Sequence, residues 1–245
     1  MDITIKLVYE NTIILECDHV SGFPPKTLDP EEDYEFEVTL LGFYNIRIIN
    51  PIKIKKKNPF SISYYNNEKR LEEIEFYSIK TIDFGSWRSQ YHSELFNCLN
   101  NFDYLKMKIL TTWVAGFQHV SWKNFDSANK KSSWLLACLT WRGLPEDNTI
   151  SNQEIELYGA EIKYTEDLYC MFAEAVYGYG GYIGQCLYGF SECVEYIAYK
   201  EKKKLTIFIY DYDKLADFFA TLLPDHLYEK SFLEILEKAG HIVIK

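Results

Sequence analysis

No run of 18 apolar residues occurs in this chain of 245 residues, which excludes a transmembrane helix of ordinary length. The opening stretch, Met1 to Asp18, lacks a basic region followed by a long apolar block. It reads as strand rather than signal peptide, so the expected location is cytoplasmic, away from any membrane. The six cysteines, at positions 17, 98, 138, 170, 186 and 193, contain no CxxC pair, and the five histidines are scattered. That spacing offers no zinc site, and free buried thiols in a reducing compartment are expected instead.

Catalytic signatures are equally scarce. There is no GxSxG and no P-loop. Gly178, Gly180, Gly181 and Gly184 miss the dinucleotide fingerprint, because its third glycine would fall on Ile183. A thiol–imidazole pair drawn from Cys170, Cys186 or Cys193 with His226 or His241 has no spacing to support it. Asp211, Asp213 and Asp217 read as helix-start and surface carboxylates. The expectation is a protein with no cofactor and no enzymatic activity. Positive charge is also in deficit. Twenty-six basic residues face 36 acidic ones, a net of −10, which argues against direct nucleic-acid binding. Ser151 to Lys245 holds 16 acidic and nine basic residues, a net of −7, which suits a basic partner but also serves plain solubility.

What the chain has is apolar and aromatic mass: 47% hydrophobic and 17% aromatic residues, enough for one large or two ordinary domains. The first half alternates in strand fashion at Ile3, Ile5 and Leu7, at Tyr34, Phe36 and Val38, at Ile46 and Ile48, and at Ile52 and Ile54. Gly22, Pro24, Pro25 and Pro30 mark an early loop, and Lys53, Lys55, Lys56 and Lys57 read as a solvated strand end. Leu95, Phe96, Leu99 and Phe102 predict a helix near 91–102, followed by a β-prone run over 105–116. Ser132 to Trp141 fits a short helix or a strand, and Trp113, Trp122, Trp134 and Trp141 suit a core of large side chains.

Gly143 to Asn152 is polar and turn-rich, which predicts a β-rich domain over 1–147 and a second domain over 153–245. In the second, Glu154 to Tyr158 is a strand, and Thr165 N-caps a helix whose face carries Leu168, Met171, Phe172, Ala175 and Val176. Further helices are expected over Cys186–Ile197, Asp211–Leu222 and Tyr228–Ala239, with strands at Leu205–Tyr210 and Ile242–Ile244. That alternation specifies a three-stranded parallel sheet with helical crossovers, and an α+β chain as a whole. Between the first two helices lies Tyr177 to Val194, with five of the twelve glycines and four of the twenty tyrosines. Such a mixture suits recognition: glycine permits close backbone approach, and tyrosine offers rigid contact area with a polar tip.

Residues 154–245 resemble the barstar-like family of intracellular ribonuclease inhibitors. The likeness begins at Ile155–Phe172, with strand, Gly159 turn and first helix, and centres on Tyr182–Val194, YIGQCLYGFSECV. Tyr182, Ile183 and Gly184 fill the family's aromatic–aromatic–Gly opening, Leu187 and Phe190 its apolar positions, and Glu192-Cys193-Val194 its Asp-Cys-Leu end. In that family the segment between the first two helices, with the second helix, plugs the nuclease active site, and carboxylates imitate substrate phosphates. The resemblance implies a partner-binding set of Tyr182, Gly184, Tyr188, Glu192 and Glu195, with Tyr182 as contacting aromatic and Glu192 as principal acid. The chain departs from the pattern where Tyr188 replaces an acid, Cys186 an asparagine and Ser191 a large aromatic. The implied function is an immunity protein that blocks a bacterial nuclease toxin with a basic active-site face, by charge-assisted hydrogen bonds. The alternative is a non-inhibitory interaction module on the same scaffold.

Overall fold

A computed structural model describes residues 3–21, 36–66, 69–99, 103–114, 116, 120–222 and 227–245. The chain divides into two compact units, 1–119 and 120–245. It is a mixed α/β protein, with a large antiparallel sheet in the first unit and a three-stranded parallel sheet with helices in the second.

In the first unit the strands are β1 (Ile3–Tyr9), β2 (Thr12–Cys17), β3 (His19–Ser21), β4 (Phe36–Tyr44), β5 (Arg47–Ile48), β6 (Lys53–Ile54), β7 (Pro59–Asn66), β8 (Lys69–Ser78), β9 (Ile82–Asp83) and β10 (Tyr91–Leu99), followed by helix α1 (Tyr104–Val114). Eight of these strands form one antiparallel sheet in the order β3-β4-β10-β8-β7-β1-β2-β5. Glu10 and Asn11 both have positive φ, the backbone that a tight β1–β2 hairpin requires. The period-two pattern explains the burial: Ile5 and Leu7 point into the core, and Lys6 points away to pair with Glu16. Phe43, Phe60, Phe76, Phe84 and Phe96 fill that core, with the Phe60 and Phe96 rings 4.9 Å apart.

Two sequence expectations fail here. The helix expected near 91–102 is strand β10, which pairs with β4 along its whole length. Its Leu95 is exposed and Phe96 fully buried, so the adjacent apolar pair straddles the two faces of a sheet. The run 105–116, expected as β, is α1 over its first ten residues. Its β-branched Thr111 and Thr112 are accommodated because their hydroxyls donate back to the Met107 and Lys108 carbonyls. Phe102 and the 22–35 segment, with its glycine and prolines, lie outside the described residues.

In the second unit the elements are α2 (Ala128–Arg142), β11 (Glu154–Tyr158), α3 (Thr165–Tyr177), α4 (Leu187–Glu195), β12 (Thr206–Tyr210), α5 (Tyr212–Leu222), α6 (Leu227–Lys238) and β13 (Ile242–Ile244). The boundary expected at 143–152 falls inside this unit. α2 packs on α3, and the 143–152 segment is held by bonds such as Ser151 N–H to the Val176 carbonyl. Lys131 of α2 and Asp167 of α3 form a buried ion pair. The other Asp167 oxygen accepts the Lys163 and Tyr164 N–H groups, both at 2.9 Å, so Asp167 caps α3 in place of the expected Thr165. Lys131 Nζ also lies 4.7 Å from the Tyr164 ring centre. These residues border a cleft of about 530 Å³ that also involves Trp122, Lys123 and Glu161.

The parallel sheet runs β11-β12-β13 in chain order. Two right-handed crossovers made in the same direction place their helices on one face. The burial follows: Ile155, Leu157, Ile207 and Ile209 are covered, with Phe172, Phe190, Phe219 and Phe232 above them in one helical core. Phe190 and Phe232 stack at 5.2 Å, and Phe219 lies 5.6 Å from Phe232. No described helix is long and apolar enough to cross a membrane.

Candidate functional site

The glycine–tyrosine segment is a packed ledge leading into α4. α3 ends at Gly178, whose φ of 79° lies in the left-handed region. Beyond it the chain lies so close to α3 that a Cβ on Gly181 would sit 2.5 Å from the Ala173 carbonyl oxygen. Gly184 combines a φ of 97° with a second close approach: a Cβ there would stand 2.5 Å from the Phe190 amide nitrogen. Gly184 therefore acts by letting the ledge press against the first turn of α4, which sets the direction of the helix.

Tight packing also decides the fate of Tyr182. Expected as the contacting aromatic, it is 7% exposed, and burial pushes its phenol pKa up to about 12. The structure places this ring in the interior, not on the exposed surface where the resemblance put a contact. Ile183 beside it is fully buried.

Tyr188, Glu192 and Glu195 lie on the outer face of α4. Spacings of four and three residues put them on one stripe, and Phe190, Cys193 and Val194 occupy the buried side. Tyr188 is 74% exposed. Its hydroxyl donates to the Glu192 carboxylate, and that bond holds the phenol pKa above its ordinary value. Ser191 Oγ donates to Glu195 Oε1 at 3.2 Å. Neither Glu192 nor Glu195 has a cation partner among the described residues.

The stripe extends further than the sequence indicated. Residues 196–200 form a π-helical turn continuing α4, a distortion frequent at functional sites. It carries Tyr199, 63% exposed, whose hydroxyl donates to the Lys238 carbonyl at 3.0 Å. Tyr199 stands eleven residues after Tyr188, beyond the helix end expected at Ile197. The site is therefore two exposed tyrosines and two carboxylates without a cation partner among the described residues.

Among the described cysteines Cys186 alone is exposed. Cys17, Cys138, Cys170 and Cys193 are buried, which pushes their thiols upward, to about 12 for Cys17 and Cys193. His241 gives both ring nitrogens to the backbone: Nδ1 accepts from Leu205 N–H at 3.0 Å, and Nε2 faces the Val194 carbonyl at 3.4 Å. That leaves its ring unavailable as a thiol base. His226 lies outside the described residues. No group of three metal-ligating side chains occurs among the described residues. Comparison of the chain with protein-family models, with curated proteins and with solved structures returns no match.

Proposed function

We propose that this chain is a binding protein that blocks a nuclease, acting through the outer face of α4 as a barstar-like immunity protein does. The observation that carries the reading is the pair of carboxylates, Glu192 and Glu195, without a cation partner among the described residues and presented on a helix between Tyr188 and Tyr199. A nuclease active site holds clustered basic groups that bind phosphates. Two carboxylates about one helical turn apart offer those groups replacement anions, and the tyrosines supply flanking contact area. The ledge and the aromatic core beneath α4 hold this constellation in place before binding, which lowers the ordering cost. The partner is accordingly a basic-faced nuclease toxin, met in the cytoplasm and bound without chemistry by this chain.

Tyr188 takes over the role first assigned to Tyr182. The proposal is tested by capturing nucleases from the host lysate on the immobilised chain and titrating their activity. Inhibition that Glu192→Ala and Glu195→Ala weaken supports it.

A second reading is favoured by one observation: an aromatic, Tyr188, occupies the position where the inhibitor pattern carries an acid. Under that reading the same stripe binds a basic protein that is not a nuclease. A captured partner without nuclease activity, released by Glu192→Ala, would select it.

A further inference from the structure

Parallel sheets are normally covered on both faces, but here the crossovers put α3, α4, α5 and α6 on one side. The opposite face carries Glu156 and Tyr158 of β11, Phe208 and Tyr210 of β12, and Ile242 and Ile244 of β13. Tyr158, Tyr210, Ile242 and Ile244 are exposed, Ile242 at 53%. Singly exposed apolar residues need no explanation, whereas a contiguous set on neighbouring strands marks an interaction surface. The Tyr158 and Tyr210 rings stack at 5.2 Å with an 18° interplanar angle. Glu156 accepts from both hydroxyls, at 2.5 Å from Tyr158 and 3.4 Å from Tyr210. It has no cation partner among the described residues.

We infer that this sheet face is a second docking surface, independent of α4, whose occupant is a basic polypeptide that places an arginine on Glu156 and the tyrosine pair. A guanidinium matches the site in both of its parts, since it pairs with a carboxylate and stacks on an aromatic ring. Phe208, Ile242 and Ile244 receive the aliphatic side chains around it. A second copy of this chain is the poorer occupant, because each copy brings a net charge of −7 over Ser151–Lys245. The surface does not depend on the nuclease-inhibitor reading, so either stands if the other fails.

The test is fluorescence anisotropy of a labelled arginine-rich peptide titrated with the full chain at physiological salt. Glu156→Gln and Tyr210→Ala each weaken binding by about tenfold, while Glu192→Gln, which removes the same charge from α4, leaves it unchanged. A lysine-rich peptide of equal length binds more weakly, because it lacks the planar group. The inference is overturned if the peptide does not bind, or if Glu156→Gln and Glu192→Gln weaken it equally. It is also overturned if sedimentation shows a dimer of the chain that Ile244→Asp abolishes. Glu156→Gln preserves side-chain shape, and Tyr210 is on the surface, so circular dichroism is expected to match the parent chain for both.

Discussion

Lys131 and Asp167, 36 residues apart, form a buried ion pair that fastens α2 to the N-terminus of α3. The same carboxylate caps α3 through Lys163 and Tyr164 N–H. Removal of either partner leaves a buried charge uncompensated. Lys131→Met is expected to cost about 3–5 kcal/mol, and Asp167→Ala at least as much because the cap is lost too. Urea denaturation measures both. A change below about 0.5 kcal/mol, the range of ordinary surface substitutions, would refute the role given to the pair.

Gly184 and Gly189 separate backbone necessity from composition. Gly184→Ala forces a side chain into the left-handed region, at about 1–2 kcal/mol, and against the Phe190 amide. Gly189 lies within α4, and a Cβ there meets only ordinary contacts, the nearest at 3.6 Å from the Gly184 Cα. Gly189→Ala is therefore expected to stabilise by about 0.5–1 kcal/mol. Melting curves of the two variants should move in opposite directions.

His241 ties β12, β13 and the end of α4 together as a neutral ring, and burial lowers its pKa from 6.5. A histidine whose folded pKa is depressed contributes stability above its unfolded pKa, and that stability is lost as pH falls through the folded value. The melting temperature is therefore expected to drop between about pH 7 and pH 5. His241→Asn keeps an acceptor for the Leu205 N–H but does not titrate, so its melting temperature should fall less steeply over that interval. Parallel slopes for the two proteins would contradict the assignment.

Glu174 of α3 gives the opposite sign. One of its oxygens accepts from the Trp122 indole N–H at 2.9 Å, and burial raises the carboxyl pKa above 4.5. The folded state then holds the proton more tightly than the unfolded chain, so stability declines as pH rises through that window. Glu174→Gln retains an acceptor for the indole and is expected to raise the melting temperature at neutral pH. A lower melting temperature for the variant would count against it.

Much of the second unit was readable from pattern. Ile155 and Leu157, Ile207 and Ile209, and the apolar face of α3 gave the parallel sheet and its crossovers, because one-sided burial imposes a visible period. Leu95 and Phe96 misled because an adjacent apolar pair fits a helical face, and nothing local says that Leu95 will be exposed. Thr111 and Thr112 misled because their β preference yields to back-bonding inside α1. The 143–152 segment looked like a linker, since its polar residues serve bonds to the chain's own backbone, among them Asn148 Nδ2 to the Leu144 carbonyl. Tyr182 looked exposed because glycine-rich sequence resembles a loop, whereas Gly181 and Gly184 allow the ledge to pack. The Lys131–Asp167 pair was hidden because nothing in either segment announces a partner so far along the chain.

The claim that Glu192 and Glu195 stand in for substrate phosphates is tested most directly by titrating the purified chain into a nuclease captured from its host. Activity should fall to a stoichiometric end point. Glu192→Ala, and Tyr188→Ala beside it, should each weaken inhibition by at least about 2 kcal/mol, while circular dichroism stays unchanged. Full nuclease activity at a stoichiometric excess of the chain, or equal inhibition by a chain lacking both carboxylates, would contradict the account.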